Sequence, residues 1–95
     1  PQILFGGAAN GQKASRAETR LFARYPDAIT LKATFKITRW ELEFMGRTVQ
    51  GNGNQLNGQA QALLKQAQPN ANATFLVDYR GPDGKISKGA VTVKM

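Results

Sequence analysis

The chain has 95 residues, thirteen Lys and Arg against six Asp and Glu, a formal charge of +7, and neither cysteine nor histidine. That composition excludes a disulfide framework and a thiolate zinc site, and it removes the commonest metal ligand and the commonest proton carrier near neutral pH. A chain of this length buries roughly 60–65% of the surface exposed when unfolded, and no apolar run approaches the roughly 20 residues that span a bilayer.

Residues 1–95 are expected to form a single domain. The chain starts at Pro1 with no initiator methionine, so it reads as a piece excised from a longer protein. Gln2-Ile3-Leu4-Phe5 reads as a short edge strand, followed by a small, flexible stretch over residues 6–11. Ser15 and Glu18 have the Ser-x-x-Glu spacing of a capping box, which predicts a helix running to Tyr25, before Pro26. Its core stripe would be Ala17, Leu21 and Tyr25 with Phe22 beside it. Arg16, Arg20 and Arg24 would recur every fourth residue on another face.

From Ile29 to Ile37 the apolar residues are odd-numbered and alternate with Thr and Lys, as in a strand with one wet side. At Trp40, Leu42 and Phe44 they become even-numbered, so the strand must bulge, bend or switch sheets near Thr38-Arg39. Gly51-Asn-Gly-Asn54 reads as a loop. Residues 57–67 read as a short helix capped by Asn57, with Leu56, Ala60, Leu63, Leu64 and Ala67 on one stripe.

Residues 73–95 read as a β-hairpin. Phe75, Val77 and Tyr79 alternate with polar neighbours on one side, and Val91, Val93 and Met95 do so on the other. Between them Arg80, Gly81, Pro82, Asp83, Gly84 and Lys85 make a reversal with a local cause. Pro82 presets φ, Asp83 can bond its own backbone, and Gly84 accepts a positive φ. The sum is an α+β domain of antiparallel, β-sandwich-like (Ig-like) sheets, about five to seven strands, with two short helices.

Candidate chemistry is sparse. The strand, glycine loop and helix suggested by residues 3–18 imitate a phosphate-binding loop, but Gln12 stands where that loop needs Lys, and Lys13 is followed by Ala14 with no hydroxyl immediately after it to hold magnesium. Glu41 and Glu43 share a strand face, yet their alternation with Trp40, Leu42 and Phe44 already explains them. Ser15 and Ser87 have no base to activate them. No catalytic, cofactor-binding or metal-ligating residue is expected. Lys13, Arg16, Arg20 and Arg24 could form one basic stripe and Lys32 and Lys36 another, while most aromatics fall on inward positions instead of forming a stacking platform.

The order of these signals resembles the carboxyl-terminal periplasmic domain of the GldM/PorM family, the shaft proteins of type nine secretion and gliding motility. The resemblance rests on the strand ending Trp40-Glu-Leu42, the Gly/Asn loop, the helix with Leu63-Leu64-Lys65, the Pro69 turn, and the Gly81-Pro82-Asp83-Gly84 turn before a final strand. The start, from Ile3 to Pro26-Asp27, is similar to the start of that domain. One departure is Gly89-Ala90, early in the last strand, where bulkier residues would pair better.

The resemblance implies a periplasmic, homodimeric module whose parent is anchored in the inner membrane by a transmembrane helix outside this chain. It implies force transmission to an outer-membrane-associated ring of lipoprotein and partner subunits. It carries over no active site, only the turn as a signature and a contact loop. The expected function is a non-catalytic structural and protein-interaction module without cofactor or small-molecule substrate, with Arg80 to Lys85 and Arg16, Arg20 and Arg24 as candidate partner contacts. The alternative is a basic nucleic-acid-binding domain. An Ig-like adhesion or carbohydrate-binding module would need an exposed aromatic row, which the alternation does not supply.

Overall fold

The structure, a computed structural model, describes residues 2–24 and 35–95. In chain order the elements are β1 (Gln2–Phe5), β2 (Leu21–Arg24), β3 (Lys36–Phe44), β4 (Arg47–Asn52), α1 (Gly58–Lys65), β5 (Asn72–Arg80) and β6 (Ile86–Lys94). β1 and β2 form a two-stranded sheet, and the order β4-β3-β5-β6 makes a four-stranded one, with every pairing antiparallel.

The parity change in β3 is solved by a bulge. Ile37 pairs with Tyr79 and Arg39 with Asp78, leaving Thr38 as the extra residue. Its hydroxyl donates to the Asp78 carbonyl at 3.2 Å. One inserted residue thus keeps Ile37, Trp40, Leu42 and Phe44 all buried, although their numbers change parity. Of the long strand expected from Ile29, the part up to Thr34 lies outside the described residues, as do Tyr25, Pro26 and Lys32.

The inner face of the larger sheet is covered by the small sheet and by α1. Ile3, Phe5, Leu21 and Ala23 project from the first, and Ala60, Leu63 and Leu64 from the second. Phe5 stacks on Phe75 with ring centroids 4.5 Å apart. The helix begins where Asn57 Oδ1 accepts the Ala60 amide at 3.0 Å, and all five expected stripe residues, Leu56 to Ala67, are buried.

Two glycines mark where elements come too close for a side chain. Gly51 in β4 faces Trp40, its register partner, and a Cβ there would overlap the indole ring. The indole Nε1 donates to the Gln55 carbonyl at 3.1 Å, so the ring is held at both ends. Gly89 lies under Ile3, and a Cβ would come within 2.7 Å of the Ile3 side chain. The ladder from Asn72↔Lys94 to Arg80↔Ile86 runs through it unbroken. Gly89 therefore admits the covering strand, while Ala90 faces outward.

The helix expected from Ser15 to Tyr25 is corrected: α1 is the only α-helix among the described residues. Ser15 Oγ accepts from the Ala17 amide, not from Glu18, and the Glu18 carboxylate accepts from the amides of Thr19 and Arg20 without reaching back to Ser15. The chain makes one turn there and then extends as β2. The reason is the unpaired edge of β1, whose backbone groups need partners that a short, marginal helix cannot supply. Pairing Phe5 with Leu21 and Ile3 with Ala23 satisfies that edge and buries those four residues together. Ala17, expected in the core, is exposed. The loop expected at residues 51–54 also begins later, because Gly51 and Asn52 still belong to β4.

Gly51→Ala should lose about 1–3 kcal/mol by overpacking against Trp40. Gly58, at the start of α1, meets nothing within 4 Å, and Gly58→Ala should gain up to about 1 kcal/mol. Leu64→Ala should lose about 2–5 kcal/mol. Urea unfolding followed by far-UV circular dichroism measures all three.

Candidate functional site

The turn between β5 and β6 is built as its residues dictate. The Gly84 amide donates to the Gly81 carbonyl at 3.0 Å, the Gly81 amide to the Lys85 carbonyl at 3.2 Å, and the Lys85 amide to Asp83 Oδ1 at 3.0 Å. Gly84 takes φ +80°, open to it because it has no Cβ. Pro82, Asp83, Gly84 and Lys85 are exposed, as are Arg80 and Ile86 on the strands that lead in and out. A groove of about 340 Å³ lies between this turn and the Phe35 and Tyr79 rings, which meet edge to face at 5.8 Å.

Strand register carries the turn's charge onto the outer face of the larger sheet. Lys36 is opposite Arg80, which is opposite Ile86; in the next row Arg39, Asp78 and Lys88 lie side by side; then come Glu41, Leu76 and Ala90. Lys36, Arg39, Arg80, Lys85 and Lys88 therefore gather at the turn end with two carboxylates, Asp78 and Asp83, whereas Glu41 and Glu43 lie farther along β3. Gln50 ties two rows together: Arg39 Nη2 donates to its Oε1 at 2.8 Å, and its Nε2 donates to Glu41 Oε1 at 2.9 Å. A shallow depression of about 320 Å³ crosses this face, touching Arg39, Glu41, Leu76, Asp78 and Lys88 but not Glu43.

No protein-family model, curated protein or solved structure matches this chain.

Of the candidate contacts, the structure brings Arg80, Gly81, Pro82, Asp83, Gly84 and Lys85 together. It does not make a stripe of Arg16, Arg20 and Arg24. Arg16 lies in a turn, Arg20 bridges to Gln55, and Arg24 pairs with Gln2 in β2. Spacing by four stacks side chains only on a helix, and the segment is not one. Arg39 and Lys88 were not singled out from sequence. The signal was half present, since the alternation turns both outward, but only the register puts them in one row.

The glycine-rich stretch after β1 is also not the flexible linker it resembles. Asn10 Oδ1 accepts the Thr92 amide at 2.9 Å, the Gly11 amide donates to the Thr92 carbonyl at 2.7 Å, the Lys94 amide donates to the Gln12 carbonyl at 2.9 Å, and the Ala14 amide donates to the Lys94 carbonyl at 2.8 Å. Residues 10–14 are a strap bonded along the outer edge of β6. Among the described residues no group of three acidic side chains could hold a metal ion, and no helix is long and apolar enough to cross a membrane.

Asp83→Ala should leave the fold intact and cost about 0.5–1.5 kcal/mol, the net worth of one hydrogen bond. Amide exchange should quicken at Lys85 and Gly84 and stay unchanged in the Asn72–Val77 half of β5, as read by NMR hydrogen exchange.

Proposed function

We propose that this chain is a β-sandwich-like (Ig-like), non-catalytic structural and protein-interaction module, and that it belongs with the periplasmic shaft domains of the GldM/PorM family that it resembles. In that role it would sit in the periplasm as part of a homodimeric protein anchored in the inner membrane, passing force to a ring of lipoprotein and partner subunits at the outer membrane.

The observation that carries this reading is that the segments behind the resemblance form one continuous packed unit. The Trp40 strand, α1 and the final hairpin share a single core, and the Gly81-Pro82-Asp83-Gly84 turn stands at one end of it amid the cations. The mechanical part of the proposal is supported by the nine-residue strands β3, β5 and β6. Each is on the order of 30 Å long, against a longest molecular dimension of 38 Å. A pull along the strands loads the ladder hydrogen bonds in shear across their whole length, because they lie perpendicular to the strands.

The test is made in the source organism. The encoding gene should specify a transmembrane helix near its start and β-rich domains upstream of this one. The tagged full-length protein, crosslinked in intact envelopes, should co-purify with outer-membrane lipoprotein, and Arg80→Glu with Lys85→Glu should reduce that recovery severalfold. The charged turn end also gives the nucleic-acid alternative a definite form. Binding of a labelled single-stranded oligonucleotide that falls steeply with salt and is lost on neutralising Arg39, Arg80 and Lys88, with no lipoprotein recovered, would replace the shaft reading.

A further inference from the structure

The four-stranded sheet has two outer edges, and they are treated differently. On β4, Asn57 Nδ2, from the residue that caps α1, reaches a single outward group, the Gln50 carbonyl, at 3.0 Å. On β6, the strap of residues 10–14 takes the amides and carbonyls of Thr92 and Lys94. Because Thr92 and Lys94 turn their backbone groups outward and the register with β5 has no shift, Ala90, Lys88 and Ile86 turn theirs outward too. Among the described residues nothing bonds to them. Half of β6 is strapped, and the half next to the turn is open.

We infer that residues 86–90 are a docking edge onto which an extended acidic peptide of a partner protein adds as a further antiparallel or parallel strand. An open edge of this kind offers main-chain hydrogen bonds at every second residue, and flanking side chains select what binds. Here those side chains are cations. Lys88 is on the edge itself, Lys85 and Arg80 are at its turn end, and Arg39 and Lys36 both lie two strands behind on β3, with Asp78 and Asp83 as the opposing charges. Ile86, 57% exposed, and Ala90 give the incoming strand an apolar contact on either side of Lys88.

The same charges decide against a second copy of this chain. An antiparallel pairing of two β6 edges centred on Lys88 would set Lys88 directly against Lys88, which destabilises a cross-strand pair. A lysine on an exposed edge is a common guard against self-association. Here the guard and the selector are one residue. The inference rests on the interaction-module reading and adds to it the place and the chemistry of a partner.

The test uses a fluorescein-labelled extended peptide of alternating Glu and Val, titrated into the chain with amide NMR as readout. Shifts are expected along residues 86–90 and absent from Thr92 and Lys94, with affinity falling as salt is added. Lys88→Pro removes an outward N–H that β5 does not use, so the ladder survives, and it should weaken binding at least about tenfold by removing the central main-chain bond and blocking its neighbours. Lys88→Glu should weaken it severalfold through charge alone.

If Lys88→Pro disturbs the fold, the peptide is changed instead. N-methylation at its Glu residues or, separately, at its Val residues should abolish binding in one case and not the other, since only one set can face β6. Equal binding by both methylated peptides, shifts elsewhere on the surface, or no binding of the parent peptide would overturn the edge assignment. So would tighter binding of a single-stranded oligonucleotide that Lys88→Pro leaves unchanged, or peptide-independent dimerisation that Lys88→Pro abolishes. Lipoprotein recovery from envelopes is scored separately, so the shaft reading can stand if the edge fails.

Discussion

The Trp40 indole is the contact on which the other elements depend. It fills the space left by Gly51 across the β3–β4 ladder and donates to the Gln55 carbonyl just before α1. Gln55 bridges to Arg20, Leu56 donates to the Thr19 carbonyl, and Leu21 donates to that of Asn54, so the segment fixed by the indole also aligns the start of β2. One buried ring thus sets the pairing of two strands, the approach of the helix and the seat of the small sheet. A polar handle on a large apolar body suits this use, because the body supplies buried area while the N–H fixes an orientation.

How much of this was legible in the sequence depends on how local its cause is. The turn at residues 81–84, the Asn57 cap and the α1 stripe are written in a few adjacent residues, and each forms as its chemistry requires. The bulge at Thr38 was legible as well, because a change of parity in one strand has few physical remedies. The Ser15 to Tyr25 segment was misread for the opposite reason. Its capping pattern is a local signal of weak energy, and the need of β1 for a partner, many residues away, overrode it. The glycine stretch was read as slack for the same reason, since its partners Thr92 and Lys94 are at the far end of the chain.

The candidate site divides along the same line. Arg80 and Lys85 were visible because they flank the turn. Arg39 and Lys88 join them only through register, which places Arg39, Asp78 and Lys88 in one row. Alternation tells which way a side chain faces, but not which residue stands beside it two strands away. A sum of +7 spread without runs looks like general solvation, and the sheet is what concentrates part of it at one end.

The strap of residues 10–14 ties the order of folding to the order of the chain. Its bond from Asn10 to Thr92 closes a separation of 82 residues, among the longest loops this sequence can form. The entropy of closing such a loop is met only after β5 and β6 have paired and present a formed edge. The paired hairpin at residues 72–94 is thus the floor on which the strap of residues 10–14 comes to rest.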